Sequence, residues 1–237
     1  DLRTESGHVR HRRMKALSIR CDSPILIAEF GQPQAMLSWS LTRPGFTTAN
    51  SVAWLHVRDD DLPLGIDPVR LLRERMSAAG LEDAVHLMTS RDIRNHHLAE
   101  ASAGPATATC LATVGLGNAG RVGATPSPHG GAGTINLLVH VDRPLSQAAL
   151  VETISIAAQA RTVAVVDLEW KPHGEVATGT GTDCIVVAAP ASMRAGMRAE
   201  QFAGLHTDVG AAVGRAVYDA VFLGGNIWVA EQASGRA

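Results

Sequence analysis

The feature that most constrains the fold is the segment 177–190, where alternating glycine and threonine run into a short apolar stretch. The apolar part, 184–189, contains only Ile, Val and Ala after one cysteine, which is the pattern of a buried strand. Glycine lets the backbone approach a ligand closely, and each threonine offers a hydroxyl. With Asp183 at the junction, this pattern predicts a binding or catalytic edge on a rigid strand. A polar turn that feeds a core strand would give the same pattern.

The composition limits how such a strand can be packed. Apolar residues make up 46% of the 237 residues but aromatic residues only 4%, so the core must be built from Ala, Val, Leu and Ile. The 23 glycines favour close backbone contacts in several places. An interior of such small residues is also compatible with a homo-oligomer.

Charge and hydropathy exclude several classes of function. With 21 basic and 23 acidic residues the net charge is -2, which gives no electrostatic reason to expect nucleic acid binding. No apolar run approaches the roughly 20 residues of a membrane span, and the basic start of the chain lacks the apolar stretch of a signal peptide. The three cysteines show neither metal-ligand nor disulfide spacing. We therefore expect a cytoplasmic protein that does not insert into membranes.

Strand signals come first in the chain and then mix with helix signals. Strong turn signals at 22–24 and 31–33 separate the first strands, which suggests an antiparallel meander. The predicted strands are 16–21, 25–30, 34–41, 51–57, 84–89, 106–115, 135–141 and 184–189. This order is typical of an α+β fold in which helices cover a mixed or largely antiparallel sheet.

Helix signals begin at Asp67-Pro68, near Ser146 and near His206. The last helix carries Gly210 and Gly214 beside its apolar stripe, and glycine inside a helix is explained by close packing against a neighbour. Neither an internal repeat nor a clean linker is visible. We expect a single domain over residues 16–230, after a disordered or loosely held basic terminus at residues 1–15.

Three loops that leave predicted strand ends carry side chains suited to chemistry. They are 113–118, 129–136 and 178–183. The first lacks the GxGxxG order and is not followed by a strand–helix unit, so a Rossmann site is rejected. His206 would be kept neutral by the helix dipole and available as a base, although a capping or surface histidine fits equally well. We expect the three loops and the start of this helix to converge on one edge.

Five sequence blocks, taken in order, resemble the adenosylcobinamide amidohydrolase family. They are Thr113-Val114-Gly115-Leu116-Gly117-Asn118-Ala119, Gly133-Thr134-Ile135-Asn136, Gly179-Thr180-Gly181-Thr182-Asp183, Gly204-Leu205-His206-Thr207 and Gly214-Arg215-Ala216-Val217-Tyr218. The resemblance covers roughly residues 85–222. Toward the amino terminus the chain departs from the family pattern, with Leu37-Ser38-Trp39-Ser40 and Pro44-Gly45-Phe46 where a Ser-rich segment ending in paired glycines is expected.

The resemblance implies a hydrolase that cleaves the amide between the aminopropanol arm and the corrin ring of adenosylcobinamide. The products would be adenosylcobyric acid and 1-amino-2-propanol, in corrinoid salvage for coenzyme B12 synthesis in the cytoplasm. The partner is then a corrinoid small molecule. Cobalt belongs to that substrate, so we expect no cofactor and no protein-bound metal.

The chemistry of amide hydrolysis assigns roles to the candidate residues. An unactivated amide needs a nucleophile or an activated water, donors for the oxyanion and an acid for the departing amine. We expect Asp183 to activate water or orient a base and His206 to shuttle the proton, with Thr180 or Thr182 as the alternative nucleophile. The expected substrate-binding residues are Gly117, Asn118, His129, Thr134, Asn136, Gly179 and Gly181. Backbone N–H groups of Gly179 to Thr182 would hold the oxyanion, and the side chain of Asn118 or Asn136 would hold the amide. A metal held by His129, Asp183 and His206 stays an alternative, without a ligand motif to support it.

The alternative function is a corrinoid- or nucleotide-binding module without hydrolysis. Backbone N–H groups of the Gly/Thr loop could hold a phosphate. The loop lacks the lysine of a P-loop and leads into a strand rather than a helix, which argues against phosphoryl transfer. A third, structural interpretation takes the Gly-rich loops as close-packing sites alone, and leaves the hydroxyl, Asn and Asp residues at strand ends unexplained.

A first prediction concerns the carboxylate at the end of the Gly/Thr loop. If Asp183 takes part in the chemistry, Asp183→Asn lowers turnover by about 10² or more, the scale of general acid–base catalysis, while the fold and corrinoid binding persist. Steady-state rates of the two proteins measure this. Turnover within a few-fold of the parent would make Asp183 a structural residue.

Overall fold

The computed structural model describes residues 10–13, 17–62, 65–125, 131–172, 174–192 and 198–235. In these residues the strands are β1 (Arg10–Arg13), β2 (Leu17–Asp22), β3 (Ile25–Ser38), β4 (Gly45–His56), β5 (Val85–Thr89), β6 (His96–Ala103), β7 (Ala106–Val114), β8 (Ala119–Gly120), β9 (Ile135–Val141), β10 (Gly179–Thr180) and β11 (Cys184–Pro190). The α-helices are α1 (Pro68–Ala78), α2 (Gln147–Asp167) and α3 (Asp208–Ala233).

Nine of the strands form one mixed sheet. Its main order is β1-β2-β3-β11-β9-β7-β6, and β4 and β5 continue from β3 on a second branch. The pairs β9–β11 and β4–β5 are parallel and the other pairs are antiparallel. The two short strands β8 and β10 pair separately. The predicted α+β fold, a mixed sheet covered by helices in a single domain, is confirmed.

The long strand β3 bends the sheet back on itself. Its first half pairs with β2 and its second half pairs with β11. Between these halves, from Glu29 to Gln34, its register with β4 shifts. One face of the β7–β9–β11 region therefore packs on the β2–β5 region. Leu111, Leu138 and Val186 meet Leu26, Trp54 and Val85 in this inner core.

Helices cover the two outer faces of the bent sheet. Small residues of α2 and α3 pack on Ala112, Val139 and Val187, as the Ala- and Val-rich composition predicts. On the other side, Leu72 and Met76 of α1 pack against β4 and β5. The result is four layers, in which the bent sheet supplies the two inner ones.

Helix α2 is long and apolar enough to cross a membrane by length and composition, the single such helix among the described residues. In the structure it packs against α3 and β11, with Ala149, Ala157 and Ala164 in the core. A core helix of a folded domain meets the same test of length and hydropathy.

Three sequence predictions of local structure differ from the structure. Residues 25–30 and 34–41 were predicted as two strands but form the single strand β3, because the Gly31-Gln32-Pro33 turn signal marks an irregular register instead of a reversal. Strand β6 was missed, since its sequence contains few of the β-branched and aromatic residues that signal a strand. Within the predicted loose terminus, the described residues Arg10–Arg13 pair with β2; residues 1–9 and 14–16 lie outside the described residues.

The two glycines singled out in the last helix have different surroundings. A Cβ at Gly210 would overlap the carbonyl oxygens of Ala203 and Gly204, so the start of α3 lies directly against that loop. A Cβ at Gly214 would meet only the Ile156 side chain, at 3.8 Å, which is an ordinary contact. Close packing therefore explains the first glycine and not the second.

This difference gives a matched pair of substitutions in one helix. Gly210→Ala destabilises the protein, because two backbone oxygens must move. Gly214→Ala stabilises it by about 0.5–1 kcal/mol, because alanine favours the helix without a clash. Chemical denaturation of both variants measures this, and equal effects of the same sign would contradict the packing described here.

Candidate active site

One edge of the sheet brings three predicted loops together. Thr113 near the end of β7, Asn136 in β9 and Cys184 in β11 stand in register across three neighbouring strands. The loop after β7 and the loops before β9 and β11 therefore meet at the same edge. The expected convergence of these loops is confirmed for their described parts; His129 lies outside the described residues.

The first two loops lie backbone to backbone, which requires glycine. A Cβ at Gly117 would overlap the Ala132 carbonyl oxygen, and a Cβ at Gly133 would lie 2.5 Å from the Gly117 nitrogen. The Gly115 N–H donates to the Thr134 carbonyl at 3.0 Å. Gly117 thus serves loop packing, and no side chain fits at either position without backbone movement.

Two threonine hydroxyls at this edge hold the loops to each other. Thr134 Oγ1 donates to the Thr182 carbonyl at 2.7 Å, and Thr182 Oγ1 donates to the Gly133 carbonyl at 3.3 Å. Together they connect the loop before β9 to the loop before β11. Thr182 is exposed, but its hydroxyl hydrogen is used in this contact.

The Asp183 carboxylate is almost fully occupied by donors. It pairs with the Arg161 guanidinium, accepts from Thr180 Oγ1, and accepts from the backbone N–H groups of Ile135 and Thr180, each at 3.2 Å. Its side chain is only 9% exposed. Four donors stabilise the negative charge and leave the carboxylate a poor proton acceptor. Its position favours orienting Arg161 and Thr180 over activating water directly.

Arg161 is the residue that sequence reasoning missed. It lies on α2 with its side chain 18% exposed, and its Nε is buried without a hydrogen-bond partner among the described residues. Burial lowers the pKa of this guanidinium, and Asp183 supplies the opposite charge. A Cβ at Gly179 would overlap the Arg161 Nη1, so that glycine makes room for the pair. The available signal was that Arg161 is the single basic residue of α2.

A cleft of about 700 Å³ opens beside this network. Its described lining combines the Gly/Thr loop with the loop after β7, the middle of α2 and the segment before β10. The side chains that can donate or accept include Asn118, Arg121, Arg161, Thr162, Glu175, Thr178 and Thr180. The predicted residues Asn118, Gly179, Thr180 and Gly181 are therefore in the cleft.

Some predicted contacts are already used within the protein. The Thr180 N–H donates to Asp183, and the Gly181 N–H donates to the Asn118 carbonyl at 3.1 Å, so these two N–H groups are not open to an oxyanion. Asn136 is 1% exposed, and its side chain donates to the Met88 carbonyl at 2.7 Å. Asn118, in contrast, is half-buried and lines the cleft.

His206 does not join this edge. It is exposed, and the residue that caps α3 is Thr207, whose hydroxyl accepts from the Gly210 N–H at 2.9 Å. Asp208 lies against Gly104 in the turn that precedes β7, whereas the loops meet where β7 ends. The nine residues of β7 separate these ends by about 27 Å. The expectation that His206 and Asp183 share one site is wrong.

A buried cysteine, Cys184, follows Asp183 at this edge. Burial raises the pKa of the Cys184 thiol to about 12, so this neighbour of Asp183 stays a thiol at neutral pH. Among the described residues, His, Cys, Asp and Glu side chains form no group of three or more arranged for a metal ion. In the alternative ligand set of His129, Asp183 and His206, the residues Asp183 and His206 are too far apart to share a metal ion. His129 lies outside the described residues.

The fold is that of an α+β domain with a cleft at one edge of its sheet. The chain belongs to the adenosylcobinamide amidohydrolase family (CbiZ), whose profile matches residues 10–233. This confirms the resemblance seen in the sequence blocks.

Two known proteins are similar to this chain. The adenosylcobinamide amidohydrolase of Halobacterium salinarum is 30% identical over 189 residues, which cover 75% of this chain and 74% of that protein. The crystal structure of the PH0078 protein from Pyrococcus horikoshii OT3 is similar with a TM-score of 0.43 and 10% identity, over 84% of this chain and 76% of that one.

The ion pair predicts a specific pattern of stability. Asp183→Asn leaves the Arg161 guanidinium buried without a counter-charge and costs about 3–5 kcal/mol of unfolding free energy. Arg161→Met costs less, because the carboxylate keeps its other three donors. The double variant loses less than the sum of the two single losses. Urea denaturation measures all three, and additive losses would contradict a direct interaction. A loss of this size would also revise the expectation that Asp183→Asn leaves the fold untouched.

Proposed function

We propose that this protein hydrolyses the amide that joins the aminopropanol arm of adenosylcobinamide to its corrin ring. The products are adenosylcobyric acid and 1-amino-2-propanol. The reaction belongs to corrinoid salvage for coenzyme B12 synthesis in the cytoplasm, and the cobalt is carried by the substrate. Membership of the amidohydrolase family is the observation that carries this proposal.

The size of the cleft supports binding of the arm instead of the whole corrinoid. Pockets of about 300–1,000 Å³ hold most small ligands, and a corrinoid is far larger. The cleft of about 700 Å³ has room for the aminopropanol arm and its amide. We therefore place the reacting amide in the cleft and the ring outside it.

Three exposed apolar side chains lie at the end of β3 and the start of β4 or between them. Trp39, Leu41 and Phe46 are each about half exposed, at 47%, 49% and 49%. The Trp39 indole N–H donates to the Asp183 carbonyl at 2.7 Å, which fixes this side chain beside the Gly/Thr loop. A flat, largely apolar face of a macrocycle would gain by covering such side chains. This supports binding of the corrin ring against Trp39, Leu41 and Phe46.

The cleft also supplies donors for the transition state. In amide hydrolysis negative charge develops on the carbonyl oxygen, and donors aimed at that oxygen stabilise it. The Asn118 side chain and the Arg161 guanidinium line the cleft and fit this role. Asp183 acts as a positioning residue, since it pairs with Arg161 and accepts from Thr180. Thr182 donates its hydroxyl hydrogen to a carbonyl, and the carboxylate that Thr180 contacts is itself held by Arg161 and two backbone N–H groups, so we assign the attack to water.

The decisive experiment is incubation of the purified protein with adenosylcobinamide. Chromatography and mass spectrometry should show loss of the aminopropanol group and formation of adenosylcobyric acid. An unchanged corrinoid across a range of pH and added divalent metals would overturn hydrolysis. Tight binding of that unchanged corrinoid would favour the binding module instead.

A pair of asparagine variants locates the reaction in the cleft. Asn118→Ala should lower kcat by about 10²–10³, the loss of one oxyanion donor. Asn226→Ala is the control, since Asn226 is exposed on α3 and donates within its own helix to Phe222 at 2.9 Å. Equal activity of the two variants would place the reaction elsewhere.

A further inference from the structure

Hydrolysis of an amide needs a group that takes a proton from water and returns it to the leaving amine. Neither residue predicted for this task from the sequence is placed to perform it. The Asp183 carboxylate is held by Arg161 and three further donors. His206 lies at the opposite end of the sheet. The proton carrier must therefore be sought among the side chains that line the cleft.

Glu175 is the side chain in the cleft that meets this need. The ionisable groups among the described lining residues are Arg121, Arg161 and Glu175. Arginine stays protonated in proteins, whereas a carboxylate can take up a proton and release it again, so Glu175 is the one of these three that can carry a proton. It is exposed, and it makes no hydrogen bond or ion pair with another described residue. Its oxygens are therefore open to water and substrate.

The backbone that follows Glu175 is held by hydrogen bonds, although the Glu175 side chain is exposed. Arg121 Nη1 donates to the Val176 carbonyl at 3.2 Å, the Ala177 N–H donates to the Trp170 carbonyl at 2.9 Å, and the Thr178 N–H donates to the Gly120 carbonyl at 2.8 Å. Ala177 is fully buried beneath the segment. These contacts tie the residues after Glu175 to both walls of the cleft, which is how a catalytic group is kept in place.

We propose that Glu175 is the general base and then the general acid of the hydrolysis, an inference that rests on the proposed function. As the oxygen of a water molecule bonds to the amide carbon, the Glu175 carboxylate takes a proton from that water. As the C–N bond of the tetrahedral intermediate breaks, the Glu175 carboxyl gives this proton to the departing nitrogen. The products are a carboxylic acid and an amine, which become carboxylate and ammonium in water, and Glu175 returns to its starting form.

The test compares Glu175→Gln, Glu175→Asp and the control Glu82→Gln, since Glu82 is exposed in the segment between α1 and β5. We expect Glu175→Gln to lower kcat by about 10²–10⁴ with KM and thermal stability little changed. Glu175→Asp, which keeps a carboxylate at this position, should recover part of the rate.

Each result decides the assignment. Parent-like kcat in Glu175→Gln, or a loss confined to KM, overturns Glu175 as the proton carrier while hydrolysis by this protein stands. A parent that leaves adenosylcobinamide unchanged overturns the proposed function, and the assignment of Glu175 falls with it.

Discussion

The ion pair between Arg161 and Asp183 is the interaction on which the candidate site depends. It joins the middle of α2 to the start of β11, and the same carboxylate holds the first N–H of β9 through Ile135 and the hydroxyl of Thr180. Such a buried pair adds little net stability compared with an apolar replacement, but loss of one partner is costly. Its effect is to impose one arrangement, in which the guanidinium lies in the wall of the cleft.

Around this pair, several residues that the sequence suggests as catalytic or substrate-binding residues have structural roles instead. The hydroxyls of Thr134 and Thr182 hold neighbouring loops together, and Gly117 and Gly133 let two backbones touch. The groups left open to the cleft are fewer and come from other places in the chain. A rigid scaffold with a small number of open groups is what precise positioning of a substrate requires.

Local sequence patterns predicted most elements because those patterns are strong. The apolar runs of β9 and β11 are nearly continuous, and the apolar stripe of α3 repeats at helical spacing over several turns. The positions of these elements were predicted closely. Weak or ambiguous patterns failed. The segment of β3 where the register is irregular contains residues that are typical of a turn. Strand β6 has a composition without strand preference, so only its pairing with β7 defines it.

By itself, the sequence determined the α+β class, the family and the loops that form the edge, because these depend on local pattern and on ordered blocks of residues. Only the tertiary structure decided which side chains are open. Asp183 looked free until the packing of α2 brought Arg161 to it, and His206 looked close until the antiparallel course of β7 placed it at the far end. Which residues come together from distant parts of the chain depends on packing and strand direction. The spacing of residues along the chain predicts neither of these.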